Sequence, residues 1–218
     1  MLKNVIFLIL GKNQSGKSTF LREKVVQCLS RTVIIDTVDE YSPYDFGHSQ
    51  AGIDDLLGFG TVVVDTFADF KRAYLENWRY KQFRIICKFK EDDAELILPV
   101  VHRAGYTSLV IEEIDLLGTN NLSKKSALFK LFTKNQHCKV NIFGTTQRPA
   151  EISKTLTSQS HILISFRQDE KVDLDYFKTH MDNPEELKTL GLGEYRIIKG
   201  RAQFNALMKS FNQKKECV

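Results

Sequence analysis

Eight residues near the amino terminus constrain the fold more than any other part of the chain. Residues 11–18 read Gly-Lys-Asn-Gln-Ser-Gly-Lys-Ser, directly after an apolar run at 5–10 and directly before a helical pattern. The spacing G-x-x-x-x-G-K-[ST] between a strand and a helix is typical of the phosphate-binding P-loop. A glycine-rich turn that contains a lysine by chance is the alternative, and the intact spacing and context argue against it. The sequence therefore predicts an α/β fold with a P-loop after its first strand.

Each part of the predicted loop has a chemical role. The glycines let main-chain N–H groups approach a phosphate, and the following helix adds unpaired N–H groups and the positive end of its dipole. We expect the Lys17 ammonium to contact the β- and γ-phosphates of ATP and the Ser18 hydroxyl to ligate Mg²⁺. The predicted nucleotide-binding residues are Gly11, Asn13, Gln14, Ser15, Gly16, Lys17, Ser18 and Thr19.

Length and composition fit one globular domain, which we predict to span residues 1–208. The 218 residues are 42% apolar and 27% charged. No apolar run approaches the roughly 18 to 20 residues that cross a bilayer, and the first strand follows Met1 too closely for a signal peptide. The four cysteines are scattered, which fits free thiols in a reducing compartment. These features predict a cytoplasmic protein without membrane insertion.

Apolar, β-branched runs alternate with stretches of helical periodicity, a pattern typical of βαβ units. Strands are predicted at 5–10, 32–36, 61–65, 84–89, 107–112, 139–145 and 161–166. Helices are predicted at 17–29, 68–79, 92–103, 123–136, 150–158 and 171–180. Several of the strand runs are almost continuously apolar, as expected of strands covered on both faces. The predicted fold is a mainly parallel central sheet flanked by helices.

The carboxyl-terminal part is predicted to form a β-hairpin. Its strands would lie at 194–198 and 202–207, joined by a turn at 199–201. The remaining residues, 209–218, are polar and rich in lysine, which predicts a flexible tail.

The apolar strand at 107–112 ends in two adjacent carboxylates, Glu112 and Glu113. A P-loop ATPase needs one carboxylate to hold Mg²⁺ and a second to orient and deprotonate the attacking water. The carboxyl end of a parallel strand is also where ligands of doubly wound sheets bind. We therefore assign Glu112 to the metal and Glu113 to the water. The alternative is a solvated strand end, with Asp115 as a third exposed acid.

The strand at 139–145 leads into Thr-Gln-Arg-Pro at 146–149, with a proline suited to open a helix. The Gln147 amide can donate to a γ-phosphate or hold the nucleophilic water, which is a sensor role. The planar guanidinium of Arg148 suits phosphate oxygens, in its own subunit or in a neighbouring one. The alternative is a helix-start turn in which Arg148 forms a structural salt bridge.

Together these motifs resemble those of the FtsK–HerA superfamily of DNA-pumping ATPases. The resemblance covers roughly residues 4–200 and rests on the P-loop, on Ile-Glu-Glu at 111–113 and, most specifically, on Thr-Thr-Gln-Arg-Pro-Ala-Glu-Ile at 145–152. It implies a RecA-like P-loop NTPase core, a hexameric ring and ATP-driven translocation of double-stranded DNA. Members of the superfamily often carry Asp-Glu where this chain has Glu112 and Glu113. This departure leaves open how the two carboxylates divide their roles.

Within that superfamily, the chain looks most like the minimal genome-packaging ATPases of membrane-containing icosahedral viruses and their archaeal relatives. It is short and shows no membrane segment, DNA-reading winged helix or long amino-terminal barrel. This likeness implies packaging of a viral genome into a preformed capsid. It also implies capsid or membrane-vertex proteins as partners, and the host cytoplasm or the virion as the location.

In rings of this kind, an arginine reaches the ATP of the next subunit. The resemblance makes Arg103, on the helix before the acidic strand, one candidate, and Arg148 is the other. The alternative for Arg103 is a surface charge that the dipole of its helix favours.

Basic and aromatic clusters are the candidate surfaces for contact with DNA. Basic and aromatic clusters occur at 71–72, 78–81 and 124–125, and each is equally an ordinary solvated helix face. Phosphate contacts through lysine and arginine would serve a motor that ignores base sequence. The net charge of +4 permits a nucleic-acid partner without arguing for one. Residues 36–40 are candidates for the nucleotide site, the subunit interface or plain loop surface.

Two other classes of protein fit a P-loop in a chain of this length. A small-molecule or nucleic-acid kinase is the first, but the stretch at 120–136 offers only lysines where a kinase lid is rich in arginines. A nucleotide-dependent assembly switch with vestigial hydrolysis is the second. The intact Glu113 and Gln147 argue against it.

Overall fold

The computed structural model describes residues 4–42, 60–88, 91–117 and 123–215. The strands are β1 Ile6–Leu10, β2 Arg31–Ile35, β3 Thr61–Val64, β4 Phe83–Cys87, β5 Ser108–Ile111, β6 Asn141–Thr146, β7 Ile162–Ser165 and β8 Arg196–Lys199. The α-helices are α1 Lys17–Phe20, α2 Phe67–Asn77, α3 Glu91–Ala104, α4 Ala127–Cys138, α5 Lys154–Gln159, α6 Lys171–Phe177 and α7 Arg201–Lys215. Helix α1 continues through a π turn at Leu21–Val25 and a 3₁₀ turn at Val26–Cys28.

All eight strands form one sheet in the order β3-β4-β2-β5-β6-β1-β7-β8. The first seven are parallel to their neighbours, and β8 is antiparallel to β7. The mainly parallel sheet flanked by helices is therefore confirmed. Each of the seven strands predicted between residues 5 and 166 forms within two residues of its predicted bounds.

Strand β1 shows why its sequence reads as an unbroken apolar run. All five of its residues are buried. Ile6, Leu8 and Leu10 belong to the hydrophobic cluster on one face of the sheet, and Phe7 and Ile9 to the cluster on the other face. A strand covered on both faces needs apolar side chains at every position.

Strand β6 lies between β1 and β5, and this order assembles the motifs. Leu10 of β1 is in register with Thr146 of β6, and Ile111 of β5 with Gly144. Because the carboxyl ends of parallel strands lie at the same edge, the P-loop, the acidic pair and Gln147 all meet there. Among the described residues, no helix combines the length and apolar character needed to cross a bilayer.

The carboxyl-terminal segment corrects part of the prediction. Strand β8 and its antiparallel pairing with β7 are observed, but the chain then turns at Gly200 into helix α7 rather than into a strand at 202–207. Phe204, Leu207 and Phe211 are buried, and their spacing of three and four residues is helical. The helix runs through Lys215 and buries Phe211, so residues 209–215 are not the flexible tail predicted for 209–218. Residues 216–218 lie outside the described residues.

Candidate active site

The loop at 11–18 packs so closely at its two glycines that side chains are excluded. A Cβ added to Gly11 would lie 2.7 Å from the Cβ of Phe166. One added to Gly16 would lie 3.0 Å from the Cα of Gly193. Gly16 also has a φ of +101°, in the region that favours glycine. The loop geometry therefore requires both glycines of the P-loop pattern.

Lys17 begins helix α1, and its side chain folds into the loop. Its ammonium donates to the Lys12 carbonyl at 3.1 Å, and the residue is only 4% exposed. The Ser15 hydroxyl donates to the same carbonyl at 2.7 Å. Burial lowers the pKa of Lys17, and the charges of Glu113 and Glu112 oppose that shift. The lysine therefore lies in the electrostatic field of the acidic motif.

The other predicted P-loop residues form the tip of the loop and the first turn of the helix. Asn13 and Gln14 are exposed, and the Asn13 side chain accepts the Gln14 N–H at 2.8 Å. Ser18 is half-buried and Thr19 is exposed, both in helix α1. The structure thus places every residue of the predicted nucleotide-binding set in one continuous loop and helix start.

Glu112 is almost completely buried at the end of β5, with 1% of its surface exposed. One carboxylate oxygen accepts the Tyr41 hydroxyl at 2.7 Å, and the other accepts the Thr145 hydroxyl. Asp36 fixes the backbone next to Tyr41 by accepting the N–H groups of Glu40 and Tyr41, each at 2.9 Å. Burial raises the pKa of Glu112 to about 7, against the effect of the two hydroxyl donors. A buried carboxylate of this kind is stabilised when a cation binds beside it.

Glu113 is joined to Gln147 by two hydrogen bonds. Its carboxylate accepts the Gln147 main-chain N–H at 3.0 Å and the Gln147 side-chain amide at 2.9 Å. The Glu113 backbone has a φ of +45°, which costs a residue other than glycine roughly 1–2 kcal/mol. Strained residues of this kind cluster at active sites. The structure therefore brings the predicted water-activating acid and the predicted sensor into direct contact.

The two threonines at the end of β6 support both carboxylate groups. Thr145 donates to Glu112 and accepts the Glu113 N–H at 3.1 Å, and Thr146 donates to Asp115 at 2.6 Å. Asp115 is half-buried, so it is not the third exposed acid of the alternative interpretation. The acidic strand end is an organised polar site and not a solvated terminus.

The available donors fit magnesium. Ser18 and Glu112 offer a hydroxyl and a carboxylate, and Mg²⁺ prefers such oxygen ligands. Within the described ranges, no group of three or more histidine, cysteine, aspartate and glutamate side chains could enclose a metal. The donors fit an ion that takes its remaining ligands from nucleotide phosphates and water, which is the usual mode for Mg²⁺.

The two candidate arginines lie in different places. Arg148 lines an open cleft of about 660 Å³ beside the P-loop, together with Lys12 and Gln147. Its guanidinium donates to the Glu151 carboxylate at 2.9 Å. This is a salt bridge of the kind that the alternative interpretation of Arg148 predicts. Arg103 is exposed near the end of α3, which leads into the start of β5 at the opposite edge of the sheet. Only Arg148 therefore lies at the site of its own chain.

The basic and aromatic clusters considered for DNA contact make ordinary surface interactions. The Arg31 guanidinium lies 3.9 Å from the centre of the Trp78 ring and covers one of its faces. Arg72 forms an ion pair with Asp69 within helix α2. Lys124-Lys125 is exposed in the turn before α4. DNA binding by these clusters therefore stays a prediction.

Comparison with known proteins gives structural matches only. No family model matches the chain, and no curated protein matches it in sequence. The genome packaging NTPase B204 from Sulfolobus turreted icosahedral virus 2, solved with sulfate, matches with a TM-score of 0.65 at 18% identity. This match covers 93% of the present chain and 94% of that chain. The same NTPase has also been solved in complex with AMPPCP.

Two further structures extend the comparison. B204 from Sulfolobus turreted icosahedral virus, described as its DNA-packaging ATPase, matches with a TM-score of 0.62 at 19% identity, over 93% of this chain and 96% of that one. VirB4 of Thermoanaerobacter pseudethanolicus matches with a TM-score of 0.53 at 12% identity, over 88% and 86%. The fold is therefore that of a P-loop NTPase, and the resemblance to packaging ATPases is confirmed as a likeness of fold.

Proposed function

We propose that this chain is an ATP-hydrolysing motor that translocates double-stranded DNA and packages a viral genome into a preformed capsid. The observation that carries the proposal is the contact between Glu113 and Gln147 beside the P-loop lysine. A P-loop alone needs only to bind nucleotide. An acid paired with a sensor amide can also activate water and respond to the γ-phosphate. The fold shared with the B204 packaging NTPase supports the motor over other P-loop proteins.

Each residue of the site would have a separate role in ATP hydrolysis. Lys17 and the loop N–H groups would bind the β- and γ-phosphates. Mg²⁺, held by Ser18 and Glu112, would neutralise charge on those phosphates. Glu113 would orient a water molecule in line with the γ-phosphate and accept its proton as it attacks.

Gln147 would couple hydrolysis to motion. It lies between the end of β6 and the 3₁₀ turn Pro149–Glu151, and it is bonded to Glu113 through both main chain and side chain. A change in its contact with the γ-phosphate would therefore shift the β6–α5 connection. Order changes around a γ-phosphate are a common way for NTPases to move distant loops.

The proposal includes a hexameric ring with DNA in its pore and with capsid or membrane-vertex proteins at the packaging site. An arginine from the adjacent subunit would stabilise the charge that develops during hydrolysis. Arg103 suits this role because it lies at the edge opposite to its own P-loop. DNA would be gripped through its phosphates, so that base sequence has no effect.

The first test is the DNA dependence of ATP hydrolysis. We expect linear double-stranded DNA to raise steady-state phosphate release several-fold, because DNA would order the ring and its shared sites. Duplexes of equal length and unrelated sequence should stimulate equally. A Lys17→Ala variant, which lacks the charge that grips the phosphates, should be inactive with and without DNA.

The same assay distinguishes the two other classes. Transfer of the γ-phosphate to an added nucleoside, rather than to water, would contradict the motor and support a kinase. ATP binding with neither reaction would support an assembly switch.

A further inference from the structure

A turn that no sequence motif marks lies against the P-loop. The Gly193 N–H donates to the Ser15 carbonyl at 3.0 Å. The Cα of Gly193 is also 3.0 Å from the point where a side chain on Gly16 would begin. The backbone of Gly193 is therefore in direct contact with the backbone of the phosphate-binding loop.

This turn is held in one conformation. The Glu194 N–H donates to the Gly191 carbonyl at 3.1 Å, and the Gly191 N–H donates to the Glu194 carboxylate at 2.9 Å. Gly193 has a φ of +78° at the third position, where tight turns of type II need glycine. Tyr195 anchors the turn by packing on Phe20, with ring centres 5.2 Å apart. The turn is thus a fixed wall of the site.

Leu192 is at the tip of this wall and is 83% exposed, the largest value among the exposed large hydrophobic residues described. A single exposed leucine is ordinary on a protein surface. Leu192, however, belongs to a rigid turn that is hydrogen-bonded to the P-loop. The space next to Gly193 is open as well, since a Cβ there would meet nothing within 4 Å.

The sheet order decides which part of a nucleotide would reach this turn. Glu113 and Gln147 lie on the β6 side of β1, so the γ-phosphate must face that side. The turn lies on the β7 side, because Ser165 at the end of β7 is in register with Arg196, just after the turn. A nucleotide with its γ-phosphate at Glu113 therefore extends its ribose and base toward the turn.

We propose that the turn at 191–194 forms one wall of the subsite for the ribose and base, and that Leu192 packs on the face of the base. The proposal rests on the nucleotide-binding function proposed above. Planar bases bind best where apolar side chains cover their faces and polar contacts are few.

The test distinguishes the contribution of the base to binding from that of the phosphates. Dissociation constants for ATP and for inorganic tripolyphosphate are measured with the wild type, Leu192→Ala, Leu192→Phe and Leu75→Ala. Leu75 is the matched control, because it is a leucine 75% exposed on helix α2. Leu192→Ala should weaken ATP binding roughly four- to fifteenfold, which corresponds to losing contact with one or two methylene groups.

The other measurements should not change. Tripolyphosphate should bind Leu192→Ala as tightly as the wild type, and Leu75→Ala should bind both ligands normally. Leu192→Phe keeps an apolar surface and should bind ATP at least as tightly as the wild type. Equal weakening of ATP and tripolyphosphate by Leu192→Ala, or no weakening of either, would overturn the base subsite. A wild type that binds neither ligand would remove the nucleotide-binding function itself, and the subsite with it.

Discussion

Replacing Glu113 with glutamine is expected to slow ATP hydrolysis about 100- to 10,000-fold, the usual contribution of a positioned general base. Glutamine keeps the size of the side chain and one hydrogen-bond acceptor for Gln147, but it cannot take a proton from water. ATP should therefore still bind. Single-turnover phosphate release measures the chemical step, and equilibrium titration with labelled ATP measures binding.

A surface substitution of the same chemical kind controls for the loss of one negative charge. Glu185 pairs with Lys188 in the 3₁₀ turn Pro184–Thr189, where both side chains are exposed. Glu185→Gln should hydrolyse ATP at the wild-type rate. Near-normal hydrolysis by Glu113→Gln would remove Glu113 from the proposed role. Loss of ATP binding in that variant would show that the substitution disrupts the site as a whole.

Two inactive variants are expected to restore activity to each other when one carries Lys17→Ala and the other Arg103→Ala. Arg103 lies at the edge opposite to its own P-loop, so any effect on the reaction must be exerted in a neighbour. In a randomly mixed ring with head-to-tail interfaces, about one interface in four combines an intact loop with an intact arginine. Phosphate release with DNA should therefore recover to roughly a quarter of the wild-type rate, where each variant alone gives almost none.

The matched experiment uses Arg148→Ala with Lys17→Ala. Arg148 lies in the cleft of its own site, so every subunit with an intact loop would lack its arginine. No recovery is expected from this mixture. Recovery with Arg148→Ala in place of Arg103→Ala would reverse the two assignments. Recovery in neither mixture would contradict a site shared between subunits.

Most of the sheet could be predicted because its strands are covered on both faces. The run at 5–10 is apolar throughout, as a strand covered on both faces requires. The P-loop that follows it identifies this run as the first strand of the sheet. The carboxyl-terminal helix could not be predicted in the same way. Its first residues follow a true strand and a glycine turn, and Ala202, Phe204 and Ala206 alternate with polar residues as they would in a strand. This alternation matches a period of two as well as the later residues match a period of 3.6.

The start of a helix depends on which side chain caps it, and several neighbouring residues can be suitable caps. The helix predicted at 123–136 begins at Ala127, because the hydroxyl that caps it belongs to Ser126, which accepts the Phe129 N–H at 3.1 Å. Serines occur at both 123 and 126, so the sequence alone does not choose between them.

The site was predictable where its residues belong to contiguous motifs. The contact of Glu113 with Gln147 follows from two neighbouring strand ends. Tyr41 could not be found in this way, since it lies 71 residues from Glu112, the carboxylate that its hydroxyl contacts. The turn at 191–194 is even farther from the P-loop in sequence. Both contacts depend on the tertiary fold, which the local sequence pattern does not predict.

The most direct test of the motor is the displacement of a third DNA strand from a duplex. A fluorescent oligonucleotide is bound as a triplex at one end of a linear duplex, and its release is followed after ATP and Mg²⁺ are added. The wild type is predicted to release the third strand only with ATP, and Glu113→Gln is predicted to release none. DNA-stimulated hydrolysis by the wild type that leaves the third strand in place would contradict translocation.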